Sequence, residues 1–179
     1  MTPTVYGGLD LAASPRGRSA TAIIQSGMIS VSSVWSDDEI VSSLSGSDIV
    51  AIDSPLTPPR GGGHREVDRL LIQSGFRVLP ASWPSMRALY ARATTIAARL
   101  RGLGIDVIET HPASALKSSG CRDLDELIAR LGLTPRSRPT NRDERDAVVA
   151  AVVALAYDRG FIEAFRAPDG VVYLLKAIC

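Results

Sequence analysis

Short apolar runs separated by turn residues occupy the first part of the chain. Residues 4–12, 21–25 and 29–35 carry the β-branched and apolar side chains typical of strands. Gly27 lies in the tight connection between the second and third runs. The pattern predicts an opening meander of three strands.

A helix and a buried strand are predicted next. Ser36 is a good helix N-cap and is followed by acidic residues, which suit the positive end of a helix dipole; this helix is expected to end near Gly46. Residues 48–53 form a continuous apolar run that suits a strand buried on both faces and ending at Asp53. Prolines and glycines in residues 54–65 then predict an irregular, mobile loop beside Asp53.

The middle of the chain alternates between helical and strand-like patterns. Apolar residues recur at helical spacing in residues 65–73 and 85–102. Residues 105–109 indicate another buried strand, which ends in Glu109. Residues 113–139 are interpreted as a small helical insertion with polar connections.

The chain closes with a long helix and a strand. Thr140 or Asn141 can cap the helix, with Asp143 or Glu144 completing a capping box. The run AVVAAVVALAY is rich in small apolar residues, so the helix is expected to pack closely against a sheet. Residues 171–175 are predicted to add one edge strand.

Composition narrows the class of protein. A chain of 179 residues and 19.0 kDa suits a single domain over residues 1–179, and its net charge of +1 gives no overall attraction to nucleic acid or membranes. Cys121 and Cys179 lie far apart, which predicts neither a disulfide framework nor a zinc site. With no signal-peptide pattern and no apolar run long enough to span a membrane, a cytoplasmic location is expected.

Carboxylates stand at the ends of several apolar segments. Asp10, Asp53 and Glu109 end predicted strands, and Asp146 lies on the last helix with Asp143 one turn before it. Each one alone is explained more simply as a structural group. Together they are expected to converge at one edge of a sheet, where they repel one another unless a cation binds. Hard oxygen ligands of this kind suit Mg²⁺ or Mn²⁺.

A group of basic residues follows one of these acids along the chain. Arg60, His64, Arg65 and Arg69 follow Asp53 closely and could contact a substrate phosphate. The alternative is a solvated basic loop in which Arg65 pairs with the Asp three positions on.

Aromatic and further basic residues follow in the same stretch. Trp83 and Tyr90 could stack on bases, although packing in the core is the favoured interpretation. Arg87, Arg92, Arg99 and Arg101 are interpreted as a solvated face of the long helix.

Four segments together carry a family resemblance: GLDLA, AIDSPL followed by GGGHREVD, VIETHPASAL, and RDERDAVVAA. In this order they resemble the RNase H-like superfamily. They are more closely similar to a family of predicted RNase H-fold nucleases, domain of unknown function 429. The resemblance implies an α/β fold with a mixed five-stranded sheet, an antiparallel meander plus parallel strands, flanked by helices.

The resemblance also implies a function. Asp10, Asp53 and Asp146 would be metal ligands, Glu109 a fourth catalytic carboxylate, and Asp143 a competitor for the helix position. The implied activity is that of a nuclease, a hydrolase that cleaves phosphodiester bonds by a two-metal-ion mechanism with Mg²⁺ or Mn²⁺. The nucleic acid would be RNA, DNA or a hybrid of the two. The alternatives are a nucleic-acid-binding or scaffolding protein without catalysis and, less favoured, an actin-like ATP-dependent phosphotransferase.

Overall fold

The computed structural model describes residues 2–179; Met1, the first residue of the expected domain, lies outside the described residues. The strands are β1 Val5–Asp10, β2 Ser19–Gln25, β3 Met28–Val34, β4 Ile49–Asp53, β5 Asp106–Thr110, β6 Thr134–Pro135, β7 Ile162–Ala167 and β8 Gly170–Leu175. The helices are α1 Asp37–Leu44, α2 Glu66–Gln73, α3 Pro84–Gly102, α4 Pro112–Ser118, α5 Leu124–Arg130 and α6 Arg142–Arg159.

All eight described strands join one mixed sheet in the order β6-β3-β2-β1-β4-β5-β8-β7. β1, β2 and β3 form the predicted antiparallel meander. β4 runs parallel to β1, and β5 runs parallel to β4. The carboxyl ends of β1, β4 and β5 therefore meet at one edge of the sheet.

Helices cover both faces of this sheet. α1 and α3 share one apolar core with Leu9 and Ile52, and α6 packs on the other face against β1, β2 and β4. α6 is buried from Ala147 to Ala156, which agrees with the small residues of its sequence. Within residues 2–179, no helix is both long and apolar enough to cross a membrane.

Contact between α6 and β1 is unusually close at one point. A Cβ atom on Gly8 would lie 2.1 Å from the carbonyl oxygen of Ala147 and 2.3 Å from the amide nitrogen of Ala151. Only glycine allows the helix backbone to approach the strand this closely. Because Gly8 precedes Asp10 by two residues, the first turns of α6 lie over the end of β1 that carries Asp10.

The start of α6 is fixed by its cap. Asn141 Oδ1 accepts a hydrogen bond from the Glu144 amide at 3.0 Å, which decides between the two predicted caps. Glu144 in turn accepts hydrogen bonds from the Thr140 amide at 2.7 Å and from the Ser33 hydroxyl on β3 at 2.9 Å. These bonds hold the first turn of α6 against the sheet. The predicted cap at Ser36 is also confirmed, with a capping box to Glu39.

The sheet is larger than predicted. The five expected strands are present as β1 to β5 and the additional strand over residues 171–175 as β8, but β6 and β7 were not predicted and bring the sheet to eight strands. The prediction of an edge strand over residues 171–175 is wrong in position, because β8 lies between β5 and β7. β7 escaped prediction because its sequence, IEAFRA, mixes charged and apolar residues without a buried run. β6 has only two residues, and one of them is Pro135.

Cys121 and Cys179 form a disulfide bond, contrary to the expectation from their spacing. The fold brings them together because the residues after β8 return to the connection between α4 and α5. There, the Ile178 and Cys179 amides both donate hydrogen bonds to the carbonyl oxygen of Ser119, at 2.8 and 3.0 Å. Disulfide bonds are uncommon in cytosolic proteins, so this bond does not support the expected cytoplasmic location.

We predict that Gly8→Ala strongly destabilises the protein. The added methyl group would overlap the backbone of α6, and a backbone cannot move aside as a flexible side chain can. The expected loss is roughly 3 kcal/mol of the free energy of unfolding, measured by urea denaturation. Gly46→Ala is the matched control because its Cβ would meet no atom within 4 Å. Equal stability of the two variants would contradict the close packing of α6 on β1.

We also predict that reduction of the Cys121–Cys179 bond lowers stability. The bond closes a sequence separation of 58 residues, for which loop-closure entropy amounts to about 4 kcal/mol. Cys121→Ser should lose a similar free energy in urea denaturation without reductant, and reductant should then have no further effect on that variant. Rapid labelling of two thiols in the folded, unreduced protein would show that the bond does not form.

Candidate functional site

The sheet places Asp10 and Asp53 side by side. They are register partners at the carboxyl ends of β1 and β4, which are neighbouring parallel strands. Adjacent strands lie about 4.8 Å apart, and register partners project from the same face. That face is the one covered by α6, because Gly8 two residues earlier contacts α6. The predicted convergence of these two carboxylates is therefore present.

The two carboxyl groups are poorly compensated. Burial, then the charges of Asp146 and Asp143, raises the pKa of Asp10 to about 7. Burial raises the pKa of Asp53 well above its ordinary value, and the neighbouring charge of Asp10 adds to this effect. Arg142 is the group that opposes both shifts. The pair therefore favours proton uptake or a cation nearby.

Asp143 and Asp146 project from the first turns of α6 towards the same region. Asp143 Oδ2 lies 2.8 Å from Arg18 Nε, and Asp146 Oδ2 lies 3.4 Å from Arg142 Nε. The Asp146 side chain is 23% exposed and Asp143 is 30% exposed. Asp146 also acts on the pKa of both strand carboxyls, with a larger effect than Asp143 on Asp10. Its stronger effect on these pKa values thus favours Asp146 over Asp143 as the helix partner of the strand pair.

The donor chemistry of this site fits a hard divalent cation, but the ligands are not assembled as a cage. Within residues 2–179, no group of three or more Asp, Glu, His or Cys side chains is arranged to hold a metal ion. Asp10 and Asp53 make no side-chain ion pair in that part of the chain, whereas Asp146 contacts Arg142. Carboxylate oxygens with raised pKa values gain most from a bound cation. Asp146 would join them after leaving Arg142.

Glu109 lies in a different environment from the aspartates. It is the register partner of Ile52, so it projects from the opposite face of the sheet, and its side chain is buried. Both of its oxygens pair with the Arg65 guanidinium, and Oε2 also accepts a hydrogen bond from the Leu56 amide at 2.8 Å. Burial raises the pKa of Glu109, and these three donors act in the opposite direction and support the ionised form.

The predicted substrate-binding residues separate into two groups. Arg65 pairs with Asp68, as the alternative interpretation expected, but it is buried and also pairs with Glu109, so it does not belong to a solvated loop. His64 Nε2 lies 3.0 Å from the carbonyl oxygen of Val78. Arg60 and Arg69 are exposed.

Internal contacts also anchor the loop that carries three of these residues. Thr57 accepts a hydrogen bond from Arg65 at 2.7 Å, and the Gly63 amide donates to the Ser82 hydroxyl at 2.7 Å. The loop over residues 54–65 is irregular, as predicted, but it is held near both ends. The glycines predict a mobile loop, but these contacts restrain it.

A pocket of about 240 Å³ opens beside Asp53 at the carboxyl edge of the sheet. We call it the edge pocket. Its polar lining includes Arg65, Asp68, Glu109, His111 and Arg142. Its apolar lining is formed by Leu11, Pro55, Leu71, Val78, Leu79, Met86, Leu89 and Val172.

Sequence reasoning missed some residues of this region and misinterpreted others. Arg142 has no pattern that marks it, since it is one of many arginines, and only the fold brings it between Asp146 and the edge pocket. His111 follows the end of β5 directly, and Ser114 Oγ lies 2.6 Å from its Nδ1. Trp83 is 50% exposed, so the interpretation as a core residue is wrong. Arg92 is buried and contacts Asp37, not solvent.

Comparison with known proteins identifies the class of fold. No protein-family model matches the chain, and no curated protein is similar to it. The topology matches solved structures, and the fold is RNase H-like. Two of the matching solved structures are of RuvC from Thermus thermophilus.

The likeness to RuvC covers most of both chains at low sequence identity. The structure of RuvC in complex with a Holliday junction substrate has a TM-score of 0.52, 13% identity, and coverage of 88% of this chain and 96% of RuvC. The other RuvC structure has a TM-score of 0.51 and 13% identity, with 88% and 97% covered. At this identity the likeness establishes the fold, and the resemblance to domain of unknown function 429 stays a prediction.

We predict that Asp10→Asn stabilises the metal-free protein at neutral pH. The folded pKa of about 7 exceeds the ordinary value of 3.8, so the folded protein binds more protons than the unfolded chain between these values. Stability should therefore fall as pH rises from about 4 to 7. Asp10→Asn should remove this part of the slope and gain on the order of 2 kcal/mol at pH 7.5.

The measurement is urea denaturation in chelator at several pH values. Asp125→Asn, at an exposed position on α5, is the control and should keep the wild-type slope. An unchanged slope in Asp10→Asn would show that Asp10 is not buried against other negative charges.

Proposed function

We propose that this protein is a divalent-metal-dependent nuclease that hydrolyses phosphodiester bonds in nucleic acid by a two-metal-ion mechanism. The observation that carries the proposal is the uncompensated pair Asp10 and Asp53, in register at the carboxyl edge of an RNase H-like sheet, with Asp146 facing it from α6. The RuvC neighbour solved with a Holliday junction substrate supports nucleic acid as the substrate class.

The three aspartates would hold the cations in different roles. Asp10 lies between Asp53 on the neighbouring strand and Asp146 on α6, so it would be the ligand shared by two ions. Asp53 would complete the ligands of one ion and Asp146 those of the other. Asp143, which is paired with Arg18, is the alternative ligand from the helix. When bound, Mg²⁺ or Mn²⁺ ions supply an activated water and stabilise the charge on the phosphate and the leaving oxygen.

Other residues would position the site and the substrate. Glu109 is committed to Arg65 and to the Leu56 amide, so we assign it to holding the loop after Asp53 and not to the reaction. Arg142 offsets part of the negative charge of the aspartates in the absence of a cation, and once it leaves Asp146 it is free to contact a phosphate. Exposed Arg60 and Arg69 remain available for more distant phosphates.

A second candidate function is nucleic-acid binding without catalysis. One observation favours it: Asp143 and Asp146 are each paired with an arginine, so a complete ligand set requires rearrangement. A protein of this kind would keep the fold and bind nucleic acid without needing the aspartates.

The proposal predicts cleavage that depends on Asp10. Purified protein with Mn²⁺ or Mg²⁺ is offered labelled single strands, duplexes, RNA/DNA hybrids and branched junctions. Asp10→Asn should lose at least about 100-fold in cleavage rate on the preferred substrate, since it removes the ligand shared by both ions. Asp125→Asn should cleave as wild type does.

Calorimetry with Mn²⁺ gives a readout that needs no substrate. Asp53→Asn should bind Mn²⁺ more weakly than wild type, and Asp125→Asn should not. Equal cleavage by wild type and Asp10→Asn would contradict the nuclease assignment. Binding of nucleic acid without cleavage and without Mn²⁺ uptake would favour the second candidate.

A further inference from the structure

We infer that the edge pocket binds a single unpaired nucleobase of the substrate, next to the phosphodiester that is cleaved. The inference rests on the proposed function and deepens it. It states that the protein prefers nucleic acid with an unstacked nucleotide to a fully paired duplex. It concerns residues that the aspartate site does not use.

The walls of the edge pocket suit a flat apolar ring. Leu79, Met86 and Leu89 line it from the segment before α3 and from the first turns of α3. Leu11, directly after β1, and Val172 on β8 line it from the other side. The volume of about 240 Å³ lies below the range of about 300–1,000 Å³ typical of sites for drug-sized ligands. A single ring system is the kind of group that fits this space.

Polar groups in the edge pocket can bind the edge of such a ring. His111 lines the pocket, and its Nδ1 is fixed by Ser114 Oγ at 2.6 Å. Within residues 2–179 its other ring nitrogen makes no hydrogen bond, so it is free to bind a ligand. Burial lowers the pKa of His111, which keeps the ring neutral and able to donate or accept. Flipped bases are bound in this way, by hydrogen bonds to their edge and apolar contacts to their faces.

The position of the edge pocket connects it to the aspartate site. Asp53 belongs both to the carboxylate pair and to the pocket lining, and Arg142 lies between the pocket and Asp146. A base in the pocket would therefore carry its own phosphate to the acidic edge. Bases inside a paired duplex cannot reach such a pocket without leaving the stack.

Exposed apolar side chains occur in the segment before α3. Leu79, which lines the edge pocket, is 54% exposed, and Trp83, the N-cap residue of α3 four positions later, is 50% exposed. Exposed apolar surface of this kind is a feature of many binding sites. Trp83 offers a flat face on which a neighbouring base could stack. A nucleic acid strand satisfies both features, one base in the pocket and the next on the tryptophan.

The test uses the full chain with Asp10→Asn, so that substrate stays intact. A hairpin with one bulged 2-aminopurine, made as DNA and as RNA, is compared with the same hairpin fully paired. We expect about tenfold tighter binding of the bulged hairpin, of one or both kinds, and a change in 2-aminopurine fluorescence. Adding Leu79→Ser should remove most of this preference.

Leu103→Ser is the matched control, because Leu103 is 56% exposed but lies at the other end of α3. It should keep the preference for the bulge, and circular dichroism should show that both serine variants fold. Equal affinity for bulged and paired hairpins, or equal effects of Leu79→Ser and Leu103→Ser, would overturn the inference.

The outcome also separates the inference from the proposed function. Bulge-selective binding that needs Leu79, in a protein whose wild type never cleaves, would support the pocket and reject the nuclease. Cleavage that needs Asp10 but shows no preference for the bulge in binding would reject the pocket and keep the nuclease.

Discussion

Helix α6 lies directly on strand β1 because Gly8 has no side chain. Its backbone oxygen at Ala147 and amide at Ala151 occupy the space that a Cβ would need. This contact sets the height of α6 above the sheet, and the cap at Asn141 and Glu144 sets where the helix begins. Together they determine that Asp146 faces the end of β1. A side chain at position 8 would lift the helix and separate the two halves of the acidic site.

Counter-charges divide the carboxylates of this region into two kinds. Glu109 has a buried arginine partner and a backbone donor, and Asp143 has a close arginine partner at 2.8 Å. Asp10 and Asp53 have neither, so Arg142 is the main group whose charge opposes the rise in their pKa values caused by burial. Asp146 stands between these cases, with a longer contact of 3.4 Å to an arginine that is largely exposed. A carboxylate that already has a buried partner gains little from a cation, so the strand pair is the natural centre of a metal site.

The sequence predicted the elements that have strong patterns and failed where only tertiary contacts decide. The meander, the strand ending at Asp53 and the last helix follow from apolar runs and caps, so the convergence of Asp10 and Asp53 at one edge of the sheet could be anticipated. The role of Glu109 could not be, because nothing local to the strand shows that Arg65, 44 residues earlier, would reach it. The Cys121–Cys179 bond was missed for the same reason, since spacing alone does not reveal which segments meet. Charged strands such as β7 lack the pattern that marks a buried strand.

The buried ion pair between Arg65 and Glu109 connects the two parts of the site physically. Glu109 holds the Leu56 amide, three residues after Asp53, and Arg65 holds Thr57 and the start of α2 through Asp68. Both members of the pair also line the edge pocket. A shift of this pair would therefore move the segment that carries Asp53 and the pocket wall together. Because breaking a buried ion pair leaves an uncompensated charge, the pair is costly to disturb and serves as a rigid base. A group bound in the edge pocket would accordingly be held at a fixed distance from the strand carboxylates.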